Sequence, residues 1–309
     1  MKYIDEIDLS EKRVFVRVDF NVPVANNVVT DDTRIRAALP TIRYALGQNA
    51  KVILASHRGR PGGKANEELS MKPVGVHLSH LLDDIDILMP ASCADNSVRK
   101  LVADMLPGQI ILLENLRFHP GEEKNDPDFA KELAANVDVY INEAFGTAHR
   151  AHASTAGMAK FIETRGAGFL MRQEIKYLSQ LIDTPEKPFI AMLGGAKVAD
   201  KLGVLENLLD KVDALLIGGG MAYTFLKAQG VEVGTSLVDN TKLHSAKRIL
   251  ERASTRGISL LLPVDHIVAP ELSDKAITSK TEDSAIPAGV MALDIGPKTC
   301  AHFAECLKG

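Results

Sequence analysis

The sequence has few of the features that mark secreted, membrane or zinc-binding proteins. Its three cysteines are an odd number without Cys-x-x-Cys spacing, which argues against a disulfide framework or zinc site and favours reduced thiols. No apolar run is long enough to span a bilayer, and the opening MKYIDEIDLSEK lacks the apolar core of a secretory signal. We therefore expect a cytoplasmic protein without a membrane partner.

Two nucleotide-binding fingerprints and an excess of basic residues are also missing. Neither a GxxxxGK[ST] P-loop nor a GxGxxG motif occurs, which argues against a P-loop nucleotidase and against a Rossmann dehydrogenase. The net charge of −4 argues against broad nucleic-acid binding. The composition, 46% hydrophobic and 25% charged over 309 residues, is that of a globular protein long enough for two domains.

What the chain does contain is a regular alternation of strand-like and helix-like segments. RVFVRV at 13–18 and QIILL at 109–113 predict strands, KVILAS at 51–56 predicts a buried strand, and helix-like segments separate them. This alternation predicts an α/β fold with mainly parallel sheets. Pro40 lies inside the first predicted helix, Thr33–Leu46, and predicts a kink or a break there.

The stretch from Gly166 to Pro188 predicts an amphipathic helix between two α/β halves. Its helically spaced apolar residues predict one broad buried face, formed by Leu170, Met171, Ile175, Tyr177, Leu178, Leu181 and Ile182. We predict two Rossmann-like domains, residues 1–168 and 187–309, joined by a hinge helix over 169–186. The same periodicity fits an ordinary core helix within one large domain equally well.

Polar and basic residues follow the predicted strands of the first half. Because ligands bind at the carboxyl ends of parallel strands, we expect these side chains on one rim: Asp19, Asn21, Arg34, His57, Arg60, Arg117 and Arg150. Guanidinium groups bind phosphate and carboxylate bidentately, so the rim predicts a site for a small anionic ligand. Each arginine alone fits a solvated charge or surface ion pair equally well, and the pattern does not identify the anion.

A glycine turn with two lysines follows the first predicted strand of the second half. FIAML at 189–193 leads directly into Gly194 and Gly195, which let a ligand approach the backbone closely. Lys197 and Lys201 lie four residues apart, and we expect both on one face at the start of a helix reaching about Val212. The arrangement predicts a phosphate site at the helix N-terminus, and its alternative is a solvated lysine pair.

A second glycine turn, Gly218–Gly220, follows the strand predicted at Ala214–Ile217. This turn would let a base or a ribose approach the backbone. The alternative is an ordinary tight turn between a strand and a helix. Further strands are predicted at Ser259–Pro263 and, more weakly, at Met291–Leu293, and a helix begins at Pro297 or Lys298.

Nine motifs occur in an order that covers nearly the whole chain. They are RVDFNVP at 17–23, DDTRIRAALPTI at 31–42, SHRGRP at 56–61, NLRFHPGEE at 115–123, NEAFGTAHRAHAST at 142–155, LGGAKVADK at 193–201, GGGMAYTFL at 218–226, LPVD at 262–265 and DIGP at 294–297. In these motifs the chain resembles the phosphoglycerate kinase family.

The resemblance implies a monomeric glycolytic transferase that moves a phosphoryl group reversibly between 1,3-bisphosphoglycerate and ADP, giving 3-phosphoglycerate and ATP. It also implies in-line transfer, closure of the two domains and Mg²⁺ that binds together with the nucleotide. We assign no residue of this chain as a metal ligand. By motif position the glycerate contacts are Asp19, Asn21, Arg34, His57, Arg60, Arg117 and Arg150. The implied nucleotide positions are Gly194, Gly195, Lys201, Gly218, Gly219 and Leu237, while Lys197, together with Arg34, is implied at the transferred phosphoryl group.

The resemblance ends after DIGPKT. The family's later WNGP segment, its GGGD nucleotide loop and its terminal stretch are not in the sequence, and those parts carry an acidic nucleotide contact and an aspartate that helps hold the metal. We therefore expect an incomplete second domain, impaired catalysis and preserved glycerate binding. The alternative function is a non-catalytic phosphoglycerate-binding protein.

Overall fold

The structure is a computed structural model that describes residues 1–183, 185–196 and 198–308, without the side chains of Ile182 and Asp200. The chain divides into two compact units, Met1–Leu178 and Ser179–Gly309, and each has a hydrophobic core of its own. No helix within the described ranges is long and apolar enough to cross a membrane.

The first unit is built on a six-stranded sheet in which every strand pair is parallel, in the order β5-β6-β4-β1-β7-β8. The six strands of this sheet are β1 (Arg13–Val18), β4 (Lys51–Ala55), β5 (Ile87–Leu88), β6 (Ile110–Leu112), β7 (Val139–Glu143) and β8 (Thr164–Ala167). Two further strands, β2 (Val24–Ala25) and β3 (Val28–Val29), form a separate antiparallel pair. In the centre, Val14 pairs with Val52 of β4 and with Val139 of β7. The predicted α/β fold with parallel strands is thereby confirmed.

Helices cover both faces of this sheet. They are α1 (Thr33–Gly47), α2 (Lys72–Leu81), α3 (Asn96–Ala103), α4 (Gly121–Lys124), α5 (Pro127–Ala134), α6 (Phe145–Ala148) and α7 (Phe169–Asp183). Because side chains alternate along a strand, Val14 and Val16 join the core that contains residues of α1 and α2, whereas Phe15 joins the core that contains residues of α3 and α5.

Pro40 does not break α1. The helix runs without interruption from Thr33 to Gly47, and buried residues such as Ile35 and Ile42 lie on both sides of the proline. A proline inside a helix costs about 3 kcal/mol through one lost hydrogen bond and a steric clash. Both halves of α1 pack on the same core, which offsets that cost, so the predicted break is wrong.

Helix α7 lies within the segment predicted to be helical, but it does not have the predicted broad buried face. Among its described side chains Met171 is buried and Ile175 is half-buried, and beyond that point three apolar residues are exposed: Tyr177, Leu178 and Leu181. The side chain of Ile182 lies outside the described residues. Helical spacing puts apolar side chains on one face, but it does not supply the surface that covers them.

The second unit contains a parallel sheet in the order β11-β10-β9 and an antiparallel sheet in the order β13-β12-β14. The strands are β9 (Ile190–Leu193), β10 (Ala214–Ile217), β11 (Ser259–Leu261), β12 (His266–Ala269), β13 (Ser279–Lys280) and β14 (Met291–Ile295). The strand predicted at Met291–Leu293 exists, but it pairs in the antiparallel sheet with β12, a strand that was not predicted from the sequence.

The described residues of this unit form the helices α8 (Leu202–Leu208), α9 (Ala222–Ala228), α10 (Leu243–Thr255) and α11 (Pro297–Leu307). The helix predicted to open at GGAKVADK starts only at Leu202, after a 3₁₀ turn at Ala199–Lys201, and it ends well before Val212. Gly195 does not enter a helix, because its carbonyl accepts the N–H of Met221, the residue that follows the second glycine turn, at 2.8 Å.

Candidate active site

Three loops at the carboxyl edge of the first sheet meet at the backbone of Gly59. Asn21, in the loop after β1, accepts the Gly59 N–H with its side-chain oxygen at 2.9 Å. Arg117, in the loop after β6, donates from Nη1 to the Gly59 carbonyl at 2.9 Å. The structure thus brings together residues that are 96 positions apart in the sequence, counted from Asn21 to Arg117.

Positive charge is concentrated at this edge. The guanidinium of Arg117 is buried, and its Nε lies 3.0 Å from Glu123. Burial lowers the pKa of Arg117; Glu123 opposes that change, and Arg150 and Arg17 add to it. Because several cations interact here at close range, an anionic ligand with more than one charged group is favoured.

Arg17, which was not among the predicted site residues, lies beneath the rim and is fully buried in β1. Its Nε donates to the Ser154 hydroxyl at 2.8 Å, Nη1 donates to the Val18 carbonyl, and Nη2 lies 3.2 Å from His57 Nδ1. Burial lowers the pKa of Arg17, and the charge of Glu122 opposes that shift. A charged residue on the same strand face as the apolar Phe15, in a Val-rich strand, is the signal that could have identified it.

Glu122 completes a buried polar chain behind the rim. It is fully buried and accepts the backbone N–H of Ser154 at 3.0 Å and the Ser154 hydroxyl at 2.6 Å. Ser154 lies in a π-helical turn at Ala153–Gly157, which turns its N–H and hydroxyl toward the same carboxylate. The chain Glu122–Ser154–Arg17–His57 therefore holds the buried guanidinium in place and neutralises part of its charge.

His57 is a neutral hydrogen-bond donor in this arrangement. Arginine can only donate, so Nδ1 of His57 accepts from Arg17 and the ring proton is on Nε2. Burial lowers the pKa of His57 to about 2, and the charges of Arg17, Arg117 and Arg150 contribute to that shift. The imidazole can therefore offer an Nε2–H as a donor without adding a titrating charge.

The neutral state of His57 predicts a specific loss of stability in acid. Its folded-state pKa of about 2 is below the ordinary value of 6.5, so below 6.5 the unfolded chain takes up the proton first. This contribution to stability is full above pH 6.5 and falls as the pH decreases, by about 1.4 kcal/mol per pH unit. Denaturant unfolding measured from about pH 7 to pH 4 should therefore show a shallower acid loss for His57→Gln than for the wild type. His80→Gln, at an exposed histidine, controls for the substitution, and parallel slopes for all three proteins would contradict the neutral state.

The remaining predicted rim residues differ in how firmly they are held. Arg34, in the first turn of α1, is 54% exposed and donates to Asp19 at 3.0 Å, so two predicted ligand contacts are paired with each other. Arg150 is half-buried, with its Nε 3.5 Å from His149. Arg60 is exposed, and it has no ion pair with the described part of the chain.

The two glycine turns of the second unit pack against each other. Gly218 N–H donates to the Leu193 carbonyl at 2.8 Å, and Gly219 has a left-handed φ of 64°. A Cβ on Gly219 would lie 2.8 Å from the Gly195 nitrogen, closer than real contacts allow. A Cβ on Gly195 would lie 3.2 Å from Nζ of Lys201, so this ammonium group lies against the first turn.

An open groove of about 430 Å³ is lined by both turns. Gly194, Gly218 and Gly219 contribute to it together with Asp294 and Phe303. Of the other predicted nucleotide positions, Gly195 and Lys201 lie beside the groove without lining it, and Leu237 is exposed elsewhere in the unit. Lys197 lies outside the described residues.

A larger cleft of about 770 Å³ lies beside the antiparallel sheet of the same unit. Its charged lining is of mixed sign, with Glu232, Lys280, Glu282 and Asp283, and it contains none of the predicted site residues. Within the ranges that the structure describes, no group of three or more His, Cys, Asp or Glu side chains is placed to hold a metal ion.

Fold and site together define a class of protein. One parallel sheet presents arginines at its carboxyl edge, and the other presents two facing glycine turns beside a lysine. Arginines, lysines and glycine turns are features suited to binding phosphate groups, and here they occur at two separate sites. This is the arrangement of an α/β phosphotransferase.

Comparison with known proteins identifies the family. The sequence profile described as phosphoglycerate kinase matches residues 4–309. The phosphoglycerate kinase of Anaeromyxobacter dehalogenans is 56% identical over 100% of this chain and 78% of its own length, and that of Koribacter versatilis is 53% identical over 98% and 77%. A solved structure of phosphoglycerate kinase from Coxiella burnetii, 42% identical, matches with a TM-score of 0.84 over 99% of this chain and 77% of its own. The chain belongs to the phosphoglycerate kinase family, so the resemblance seen in the motifs and the prediction of an enzyme of that family are confirmed.

Proposed function

We propose that this chain transfers a phosphoryl group reversibly between 1,3-bisphosphoglycerate and ADP, giving 3-phosphoglycerate and ATP. The observation that carries the proposal is the convergence of Arg17, His57, Arg117 and Arg150 at one sheet edge. A ligand with a carboxylate at one end and a phosphate at the other suits several fixed guanidinium groups and a neutral N–H donor. Asp19 and Asn21 lie at the same edge and suit the hydroxyl of a glycerate.

The reaction fits the residue types at the site. The acceptor in the ATP-consuming direction is a carboxylate, whose ordinary pKa of about 4 leaves it ionised near neutral pH, so no general base is needed. What the reaction needs is alignment and neutralisation of charge on the group in transfer. We assign Arg34 and Lys197 to that group and Lys201 to the nucleotide phosphates. The assignment of Lys197 rests on its motif.

Mg²⁺ enters this proposal as part of the nucleotide substrate. The described residues form no ready-made metal cage, and protein-bound Mg²⁺ is commonly held by substrate phosphates, waters and one or two carboxylates. When bound, it neutralises charge on the nucleotide phosphates. In this proposal the glycine turns and Lys201 hold the phosphate chain of the nucleotide in position.

We assign residues 1–168 to glycerate binding, 169–186 to a hinge helix and 187–309 to nucleotide binding. The border between the two compact units at Leu178 and Ser179 falls inside α7, which supports a connecting role for that helix. Transfer between ligands held on separate domains requires closure, so domain closure belongs to the proposal. A cytoplasmic monomer that binds no nucleic acid stays a prediction.

A coupled assay of ATP formation from 1,3-bisphosphoglycerate and Mg-ADP tests the proposal, and calorimetry with 3-phosphoglycerate is run alongside it. We expect both turnover and binding. Binding without turnover would favour the non-catalytic binder instead. Binding of NAD in place of both ligands would favour the dehydrogenase, which the missing GxGxxG motif already disfavours.

Replacement of Arg117 should weaken glycerate binding strongly. Its buried guanidinium is fixed by Gly59 and Glu123, so it offers a charged hydrogen bond at little entropic cost. We expect Arg117→Ala to raise the dissociation constant of 3-phosphoglycerate about tenfold to hundredfold, measured by calorimetry. Arg99→Ala is the matched control, because it removes an arginine 3.6 Å from a glutamate elsewhere in the same unit. Equal affinities for the two variants would contradict the assignment.

A further inference from the structure

Glu143, the last residue of β7, has a fully buried carboxylate at the start of α7. Its Oε1 accepts the Thr41 hydroxyl and the Leu170 N–H at 3.0 Å, and its Oε2 accepts the Met171 N–H at 3.3 Å. The Thr41 hydroxyl in turn accepts the Phe169 N–H at 2.9 Å. The first N–H groups of a helix have no partner within the helix, and here β7 and α1 supply those partners.

The fit around this carboxylate is tight. A Cβ on Gly168 would lie 2.1 Å from Oε2 of Glu143, so any side chain at position 168 would displace the carboxylate. The Gly168 N–H donates to the Asn142 carbonyl at 2.9 Å and ties the same turn to β7. Burial raises the pKa of Glu143, and the hydrogen bonds from Thr41, Leu170 and Met171 oppose that shift. The carboxylate is thus fixed by several directional contacts.

Glu143 connects the elements that carry the glycerate site to α7. Thr41 belongs to α1, whose first turn holds Arg34, and β7 leads into the loop that holds Arg150. We propose that Glu143 is a positioning residue that couples the occupancy of this site to the start of α7. Ligand contacts that order α1 and the loop after β7 also order the first turn of α7 through the carboxylate. The proposal rests on the proposed function, because it takes 3-phosphoglycerate as the ligand of that site.

Hydrogen exchange of the peptide that contains Leu170 and Met171 tests this coupling, with and without 3-phosphoglycerate. In the wild type we expect the ligand to slow exchange there about tenfold. In Glu143→Gln, whose amide nitrogen cannot accept the N–H of α7, we expect faster exchange that the ligand no longer slows. The dissociation constant of 3-phosphoglycerate should change less than about twofold, while turnover falls about tenfold. A purely structural role would speed exchange in both states and preserve the slowing by the ligand.

Two further variants make the result decisive. Asp265→Asn is the matched control, because Asp265 is also buried and accepts a hydroxyl, that of Thr299, and two N–H groups at the start of α11. It should leave the ligand effect on the α7 peptide unchanged. Thr41→Val removes the hydroxyl through which α1 contacts both Glu143 and the Phe169 N–H, while the carboxylate itself is kept. This variant decides the question if Glu143→Gln does not fold. If Glu143→Gln folds and the ligand still slows exchange at the start of α7, the coupling is overturned. If Glu143→Gln does not fold, the same slowing in Thr41→Val overturns it. A wild-type chain that does not bind 3-phosphoglycerate would instead overturn the proposed function, and the coupling with it.

Discussion

Arg34→Ala should lower phosphoryl-transfer turnover about 100-fold while changing the dissociation constant of 3-phosphoglycerate less than about threefold. The Arg34 side chain is 54% exposed, and within the described part of the chain its one ion-pair partner is Asp19 at 3.0 Å, so it can reorient toward a ligand. A cation that meets charge on the group in transfer stabilises the transition state more than the ground state. Turnover in the coupled assay and calorimetry with 3-phosphoglycerate measure the two quantities separately.

Arg36→Ala is the control for this experiment. Arg36 lies on the same helix, is 60% exposed and pairs with Asp32 at 2.9 Å, so the two substitutions remove similar side chains from similar surroundings. We expect Arg36→Ala to keep turnover within about twofold of the wild type, as for a surface ion pair. An equal loss of affinity and turnover in Arg34→Ala would identify ordinary ground-state binding. A loss in both variants would point to a general effect on α1.

The regular part of the fold could be predicted from hydrophobic pattern alone. The strands at Arg13–Val18 and Ala214–Ile217 have the bounds predicted, because a Val-rich segment of alternating residues and a short apolar run before a turn are both typical of strands. The antiparallel sheet of the second unit could not be predicted in this way. Its β13 has two residues, both exposed, and its β12 follows a turn directly, so neither gives a periodic signal.

The exposed rim of the candidate site could be predicted from the sequence, whereas the buried polar chain behind the rim could not. Loop residues such as Asn21 and Arg117 follow strong strands, so the rule that ligands bind at the carboxyl ends of parallel strands places them. Glu122 lies in the short helix α4 and Ser154 in a π-helical turn, and Arg17 reaches them through a hydrogen bond to Ser154 that spans 137 positions of the sequence. Sequence spacing has no information on such contacts. The buried chain that fixes the rim therefore became visible only in the structure.

Gly219→Ala should weaken ADP binding about tenfold or more while leaving 3-phosphoglycerate binding unchanged. The added Cβ would lie 2.8 Å from the Gly195 nitrogen and 3.6 Å from the Gly194 carbonyl carbon. The three nearest atoms all belong to the backbone of the first glycine turn, so the two turns must move apart to admit the methyl group. That movement displaces the turns that line the groove assigned to the nucleotide. Calorimetry with Mg-ADP and with 3-phosphoglycerate measures the two affinities.

Gly230→Ala separates this steric effect from backbone strain. Gly230 also has a left-handed φ, 86° against 64° for Gly219, but a Cβ there would meet no atom within 4 Å. Both variants should lose about 1–2 kcal/mol of stability because alanine disfavours the left-handed region, and the steric overlap adds to that loss only in Gly219→Ala. The nucleotide affinity should fall only in Gly219→Ala, because only there does the methyl group press on a turn that lines the groove. Equal ADP affinities in the two variants, with both proteins folded, would show that contact between the glycine turns does not shape the nucleotide site.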